Sequence, residues 1–186
     1  MLKKKAKYLA GKLRCLIYGI NCVGGKIYIG KNVKITGGRR IQLSSQIQIR
    51  PYCCLFAGEF LEIGSNCDIG ERNRIAGNVR IGENVLIGPD NFICSYDHTY
   101  TDVEKPIIKQ PEHMPHRNGH QELFIGNGAW IGTHVATIGD VHIGRNSVIG
   151  ANSVVVKDVP DYSVVVGNPA KIVKQYNFEN GKWEKR

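Results

Sequence analysis

Histidines are the residues of this sequence best suited to proton transfer, and six occur in 186 residues. An imidazole with a pKa of about 6.5 can act at neutral pH as a general base that deprotonates a hydroxyl. His98 stands where a regular stretch of sequence gives way to an irregular one, and Asp97 precedes it. His98 is therefore a candidate general base, or else an ordinary polar surface residue. Asp97 is a candidate for orienting its ring, although neighbours in an extended chain point apart.

A six-residue repeat supplies the elements that would position His98. Aliphatic residues recur at every sixth position, often followed by glycine, from Ile63 to Ile93 and again from Ile125 to Val155. The fifth residue of many hexads is small or apolar. A weaker upstream series is read at Ile29, Ile35, Ile41, Ile47 and Cys53.

This period matches neither an α-helix nor a simple alternating strand. A short strand followed by a corner explains it, because the aliphatic residue and its fourth successor then face inward while glycine permits close backbone approach. Three such sides close a triangular coil of eighteen residues, and coils stack at the strand spacing of about 4.8 Å. We expect an all-β fold, a parallel β-helix. The spacing of ten between Cys53 and Ile63 predicts a bulge near Gly58–Leu61.

Stacking of eighteen-residue coils predicts which polar side chains lie near His98. Counting back from residue 98 gives Arg80 and then Glu62, which should form a column with His98 on one outer edge. Asn78 should lie one coil below Tyr96. Asn78, Arg80 and Tyr96 are therefore candidates for contacts with a substrate, with a solvated edge as the alternative.

The N-terminal segment predicts a basic amphipathic helix, because apolar residues of 2–20 share one helical stripe and Lys and Arg are interspersed. The stretches between charges are too short to span a bilayer. Two uses stay open, contact with an anionic membrane and capping of the β-helix, and one helix could serve both.

The irregular segment that follows His98, residues 99–122, contains three prolines and predicts a long external loop. Long loops of this kind are often functional. The chain is accordingly divided into an N-terminal helix at 1–24, a β-helix domain at 25–175 and a C-terminal tail at 176–186. The loop carries three histidines, His113, His116 and His120.

The formal charge of +9 is unevenly distributed, since residues 1–58 hold twelve of the 25 Lys and Arg and no Asp or Glu. This asymmetry indicates that the N-terminal end meets an anionic surface. Nucleic acid is not expected, because no recognition module or aromatic interleaving is present. Six cysteines without metal-site spacing, and no signal peptide, predict reduced core thiols and a cytoplasmic location, which could include the inner face of the cytoplasmic membrane.

The hexads resemble those of the hexapeptide-repeat acyltransferases over about residues 27–175. The segments 157–160 (KDVP) and 167–174 (GNPAKIVK) resemble the end of the sugar O-acetyltransferase branch. The final stretch, with Tyr176, Asn177 and Trp183, is similar to the tail of lipopolysaccharide O-antigen O-acetyltransferases. The resemblance implies a left-handed β-helix that assembles as a homotrimer.

The same resemblance implies transfer of an acetyl group from acetyl-coenzyme A to a sugar hydroxyl in surface polysaccharide, with His98 at the position of the family's catalytic histidine. The long loop would reach toward a neighbouring subunit's site. The pantetheine arm would lie along the coils after the loop, between two subunits. Val156 stands where threonine is common, so its contact would be through the backbone, and Lys174 where arginine is frequent. The implied coenzyme-binding positions are Thr133, Ala151, Val156, Lys157 and Lys174.

Other functions remain open. One is acetylation of a small soluble acceptor, such as a free sugar, an antibiotic or an amino-sugar nitrogen. Another is a non-catalytic β-helix scaffold. The absence of a phosphate loop or dinucleotide fingerprint argues against nucleoside-triphosphate or nicotinamide chemistry. No metal is expected, because the loop histidines are spaced unlike the zinc ligands of carbonic anhydrases that share this fold. His134 and His142 are read as surface or interface residues.

Overall fold

The computed structural model describes residues 2–111 and 121–186, with side chains from residue 6 onward. One α-helix, α1 (Leu2–Tyr18), precedes the strands, and short 3-10 turns occur at Gly38–Arg40 and Ile107–Lys109. In these ranges the strands are β1 (Asn21–Cys22), β2 (Tyr28–Ile29), β3 (Lys34–Thr36), β4 (Ile41–Leu43), β5 (Gln48–Ile49), β6 (Cys54–Ile63), β7 (Asp68–Ile69), β8 (Arg74–Ile81), β9 (Leu86–Ile87), β10 (Phe92–Cys94), β11 (Leu123–Ile125), β12 (Trp130–Ile131), β13 (Ala136–Ile138), β14 (His142–Ile143), β15 (Val148–Ile149), β16 (Val154–Val155), β17 (Ser163–Val166), β18 (Lys171–Asn177) and β19 (Lys182–Lys185).

These strands build the predicted left-handed parallel β-helix of about seven coils, with three faces. Face 1 stacks β2, β5, β7, β9, β12, β15 and β17. Face 2 stacks β3, the first halves of β6 and β8, then β10, β13 and β16. Face 3 stacks β1, β4, the second halves of β6 and β8, then β11 and β14.

The predicted inward columns form the core. On face 1, Ile69, Ile87, Ile131 and Ile149 lie directly above one another, each at most 1% exposed. Residues at the fifth hexad position are buried as well. The six-residue rule is therefore confirmed from Ile63 to Ile93 and from Ile125 to Val155.

The upstream part follows a different frame from the predicted one. Ile29 pairs with Ile49 and Ile49 with Ile69, so the first two coils contain twenty residues rather than eighteen. The extra residues lie in the turn at Gly38–Arg40 and at the register shift between Ala57 and Leu61, where a bulge was predicted. The prediction that Ile41, Ile47 and Cys53 continue the aliphatic series was wrong. They are buried, but they occupy the fifth hexad position.

Glycine and residues with a left-handed backbone conformation have different structural roles at the corners. A Cβ on Gly70 would lie 2.5 Å from the carbonyl carbon of Gly88 and 2.7 Å from the nitrogen of Pro89, so only glycine allows the coils to stack there. The turn itself is made by residues in the left-handed region that are often asparagine, such as Asn66 (φ 61°) and Asn84 (φ 59°). Their side chains are hydrogen bonded at 2.7 Å across adjacent coils.

Buried polar side chains at the fifth hexad position bind the carbonyls of these glycines. Asn73 Nδ2 donates to the carbonyls of Gly70 and Gly88, both at 2.8 Å. Cys53 Sγ lies 3.0 Å from the Gly70 carbonyl, and burial raises the pKa of this thiol to about 11. All six cysteines are free; Cys15, Cys53 and Cys67 are buried, as expected of core thiols, whereas Cys22, Cys54 and Cys94 are only half-buried.

Helix α1 covers the first coil, which confirms the capping use predicted for it. Gly11 packs against the carbonyl of Ile27, and the Arg14 guanidinium donates to the carbonyl of Ile29 at 2.8 Å and to that of Gly30. In residues 2–111 and 121–186, no helix combines the length and apolar character that a membrane span requires.

At the other end, the parallel stacking gives way to an antiparallel hairpin. Strand β17 of face 1 pairs with β18, and β18 pairs with β19. The segment expected as a tail at 176–186 thus continues the sheet. The predicted external loop leaves after β10, contains the 3-10 turn at Ile107–Lys109, and the chain rejoins face 3 at β11. His113, His116 and His120 lie outside the described residues.

Replacing Gly70 with alanine should destabilise the protein, because the new methyl group would meet backbone atoms of the next coil. We expect a loss of about 1–3 kcal/mol in the free energy of unfolding, typical of overpacking. Urea denaturation followed by circular dichroism measures it. Gly25→Ala is the matched control, since no atom lies within 4 Å of a Cβ built there. Equal stability of the two variants would contradict the stacking argument.

Thr137 offers a second test, because its hydroxyl is buried without a hydrogen-bond partner in the described part of the chain. It occupies an inward column between Ile93 and Val155. Thr137→Val should stabilise the protein by about 1–3 kcal/mol, the cost of an unsatisfied buried hydroxyl. The exposed Thr36→Val serves as the control in the same denaturation experiment. A stability unchanged from the parent would show that the hydroxyl has a partner.

Candidate functional site

His98 lies at the corner between faces 2 and 3, which we call the second edge. Successive coils contribute residues 58–60, 77–78, 95–98, 139–140 and 156–158 to it. Strand β10 leads to this edge, and His98 follows four positions after its last residue, Cys94. Ser95 is buried, whereas His98 is exposed. The imidazole is thus carried on the surface by a rigid coil, at the point where the loop departs.

Asp97 contacts the main chain of His98. Its Oδ1 accepts a hydrogen bond from the backbone N–H of His98 at 2.9 Å. This contact fixes the backbone at His98, because a carboxylate oxygen engaged with an amide restrains the peptide plane.

Asn78 and Tyr96 come together as predicted, one coil apart. The Tyr96 hydroxyl lies 3.5 Å from Asn78 Oδ1. The same oxygen accepts the backbone N–H of Glu59 at 2.6 Å, and the backbone N–H of Asn78 donates to Ser95 Oγ at 2.8 Å. Asn78 is 6% exposed. Its amide therefore anchors the bulge at Glu59, and Tyr96 presents its ring at the half-buried surface next to His98.

The predicted column of Glu62, Arg80 and His98 forms only in part. Arg80 Nε donates to Glu62 at 2.8 Å, as expected, and the hydrogen bond with Glu62 raises the pKa of Arg80. The placing of His98 above Arg80 was wrong. Phe124 of β11 pairs with Arg80 instead, because the chain leaves the coil before this position and the strand that follows the loop fills it.

Arg80 is also bound to Glu122. Two carboxylates thus surround the guanidinium, whose central carbon lies 5.0 Å from the centroid of the Phe60 ring. Arg80 therefore connects Glu122, the residue directly before β11, to Glu62 of the preceding coils. This arrangement engages Arg80 with protein groups rather than leaving it for a substrate.

Thr133 and Ala151 lie at a different corner, between faces 1 and 2, which we call the first edge. The backbone N–H of Asn152 donates to the Thr133 carbonyl at 3.0 Å, so these residues stack on consecutive coils. Thr133 Oγ1 lies 2.9 Å from the Pro89 carbonyl and 2.8 Å from Nδ1 of His134. The predicted coenzyme residues are therefore divided between two edges of one protomer.

Val156 and Lys157 lie on the second edge, in the same corner series as His98. Beside them is a groove of about 230 Å³ with an apolar floor that includes Val155 and Ala170. Lys157, Lys171 and Asp158 also line it, and Asp158 Oδ1 accepts the backbone N–H of His142 at 2.8 Å. Lys171 was missed in the sequence, although it belongs to the quoted segment 167–174. Two ammonium groups beside an apolar groove suit a ligand that combines phosphate with an apolar part.

Lys174 lies on β18 and does not line this groove. It pairs directly with Lys185 across the β18–β19 hairpin, and both are exposed. Like charges directly opposite in a sheet repel each other, so this pair would be stabilised by an anion. Next to them, Tyr176 and Trp183 stack edge to face at 5.5 Å. Lys185 could not be identified from the sequence pattern, because its pairing with Lys174 depends on the turn at 178–181.

In the described residues, no three histidine, cysteine, aspartate or glutamate side chains converge as metal ligands would. His142 is exposed on face 3 and contacts the Phe124 ring at 4.6 Å, edge to face.

Comparison with known proteins places these features in a family. A family model described as "Bacterial transferase hexapeptide (six repeats)" matches residues 123–157. Galactoside O-acetyltransferase of Escherichia coli (strain K12) is 37% identical over 130 residues, 63% of this chain and 58% of that protein. WbbJ of the same organism, assigned to lipopolysaccharide biosynthesis as an O-acetyl transferase, is 30% identical over 165 residues, 87% of this chain and 78% of that protein.

The chain spans 58% of the length of this galactoside O-acetyltransferase and 46% of the length of another curated relative. Among solved structures, a mutant of AntD, an N-acyltransferase from Bacillus cereus in complex with dTDP and coenzyme A, superposes with a TM-score of 0.77 at 18% identity. The match covers 94% of this chain and 93% of that one. The hexads, the coil geometry and the extended similarity to WbbJ together show that the chain belongs to the family of hexapeptide-repeat acyltransferases.

Proposed function

We propose that this protein transfers an acetyl group from acetyl-coenzyme A to a sugar hydroxyl, with His98 as the general base. The observation that carries the proposal is the position of His98, exposed on the same second edge that bears Val156 and Lys157 two coils further on. The relatives support the reaction type, since two of them are named as O-acetyltransferases.

The chemistry requires a base and a leaving-group acid. His98 takes the proton of the acceptor hydroxyl while the oxygen forms a bond to the thioester carbonyl carbon. The carbon–sulfur bond then breaks, and the imidazolium returns the proton to the departing sulfur. Asp97 contributes by holding the backbone of His98 through its 2.9 Å hydrogen bond. Asn78 and Tyr96 form the surface on which the acceptor would lie.

The donor would bind between two protomers of a homotrimer. Thr133 and Ala151 lie on the first edge, whereas Val156, Lys157 and His98 lie on the second, one face away. One protomer cannot offer both edges to one extended ligand. Rotation about a threefold axis brings the first edge of one protomer to the second edge of the next, and the site becomes complete. Trp130 and Leu86, neighbours on face 1 and about half exposed, supply apolar surface for this contact.

The acceptor we propose is a sugar unit of a surface polysaccharide or its lipid-linked precursor, acetylated in the cytoplasm or at the membrane's inner face. WbbJ, which is assigned to lipopolysaccharide biosynthesis, supports this choice. An acceptor panel of lipid-linked saccharides, free sugars and amino sugars, analysed by mass spectrometry, separates O-acetylation from acetylation of a soluble acceptor or an amino-sugar nitrogen. Ester products from saccharide acceptors support the proposal, whereas amide products overturn it.

Replacing His98 with alanine should lower kcat at least about a hundredfold, the usual contribution of a general base. The KM for acetyl-coenzyme A should change little, because His98 acts on the acceptor. Release of free thiol, measured with a disulfide reagent, gives both constants. His142→Ala, an exposed histidine on another face, is the matched control and should retain full activity. Undiminished turnover by His98→Ala would rule out this mechanism.

Removing either lysine of the opposed pair should weaken coenzyme binding. We assign the nucleotide phosphates of coenzyme A to Lys174 and Lys185, and Lys174→Ala or Lys185→Ala should each raise the Kd about tenfold, as loss of a charge-assisted hydrogen bond does. Isothermal titration calorimetry measures this change. Lys182→Ala, in the same hairpin but opposite Asn177, is the control. An unchanged Kd for Lys174→Ala and Lys185→Ala would place the phosphates elsewhere, with Lys157 and Lys171 as the next residues to test.

A further inference from the structure

Helix α1 turns its apolar side away from the protein. Leu9, Leu13 and Leu16 are 72%, 57% and 78% exposed, and Ile17 is 69% exposed. At about 100° per residue the three leucines fall within about 60° of one another, a single stripe along the helix. A surface helix of a globular protein normally buries such a stripe against the core. Here the stripe is unpartnered within the described chain.

The opposite side of α1 packs on the first coil through the buried Gly11 and Cys15 and through two basic residues, Lys7 and Arg14. Lys7 Nζ donates to Gln48 Oε1 at 3.0 Å and lies 4.1 Å from the centroid of the Tyr28 ring. Arg14 binds the carbonyls of Ile29 and Gly30. The first coil therefore holds the helix by the side that carries Lys7, Gly11, Arg14 and Cys15, and this attachment determines that the leucines face outward.

Exposed cations surround the stripe, and carboxylates are missing from this part of the sequence. Lys12 is exposed on α1, and Arg39 of the first coil lies next to Gly19 at the end of the helix. Glu59 is the first acidic residue of the chain, whereas residues 1–58 carry twelve Lys and Arg. A protein partner with a purely apolar groove would not require this charge. An anionic lipid surface uses both features, because acyl chains take the leucines and headgroups take the cations.

We infer that α1 is an interfacial anchor that lays Leu9, Leu13, Leu16 and Ile17 into the headgroup region of an anionic membrane, with the β-helix standing on the surface. The inference rests on the proposed function in one respect: an enzyme that acetylates a lipid-linked acceptor would encounter that acceptor at a membrane. In a cyclic trimer the three helices lie at the same end by symmetry, so three weak contacts act together on one membrane.

The test is flotation of the full-length protein with vesicles. Protein should float with vesicles of phosphatidylcholine and phosphatidylglycerol in a ratio of about seven to three, and much less with phosphatidylcholine alone. The triple variant Leu9→Gln, Leu13→Gln, Leu16→Gln should bind the anionic vesicles at least about tenfold more weakly. The control is Val103→Gln with Ile108→Gln, two loop residues that are 96% and 91% exposed. It should bind as the parent does.

Three results would overturn the inference: no flotation of the parent protein, equal binding by the triple variant, or loss of the parent's oligomeric state in the triple variant. The last would assign the stripe to a contact between copies of the chain. Circular dichroism verifies that the triple variant is folded. Turnover with a soluble saccharide should be the same in parent and triple variant, so failure of membrane binding leaves the proposed reaction standing, and failure of the reaction leaves the anchor standing.

Discussion

The structure depends on how closely the backbone of one coil approaches the next at the corners. At Gly70 a single methyl group would collide with the peptide of Gly88, so stacking of the coils at this corner requires glycine. The inward residue that opens each hexad is mostly isoleucine, whereas the buried fifth position is occupied by residues such as cysteine, asparagine, valine and serine. Polar side chains that are free to contact a ligand lie on the outer surface, on the faces and edges.

The regular part of the fold was predictable because the coils between Ile63 and Ile93, and again between Ile125 and Val155, repeat every eighteen residues, so a period in the sequence is also a spacing in the structure. The predicted positions were wrong where the length of a coil changes. Two extra residues in each of the first two coils shifted the frame after Ile35. The loop broke the stacking above Arg80, because β11 returned to the position that counting had given to His98. Counting cannot detect a strand that replaces another from a distant part of the sequence.

The candidate site was predictable in a similar, partial way. Residues on consecutive coils of one edge, such as Asn78 and Tyr96, follow from arithmetic and were found together. The division of Thr133 and Val156 between two edges follows from the triangular cross-section, and it is the reason for proposing that a neighbouring protomer completes the site. Lys185 depends on an antiparallel hairpin outside the repeat, so no periodicity could reveal it.

The two ends of the β-helix have a consequence for solubility. A parallel coil that ends in the open offers unpaired backbone groups to any other strand and invites filament growth. Here Arg14 occupies carbonyls along the free side of β2, and at the far end β17 turns into an antiparallel hairpin whose outermost strand, β19, is only four residues long and includes Lys182, Glu184 and Lys185. Neither end of the β-helix presents a long, uncharged strand edge with which another chain could pair. Although the coils stack as strands do in amyloid, further strands are therefore not added beyond the last coil.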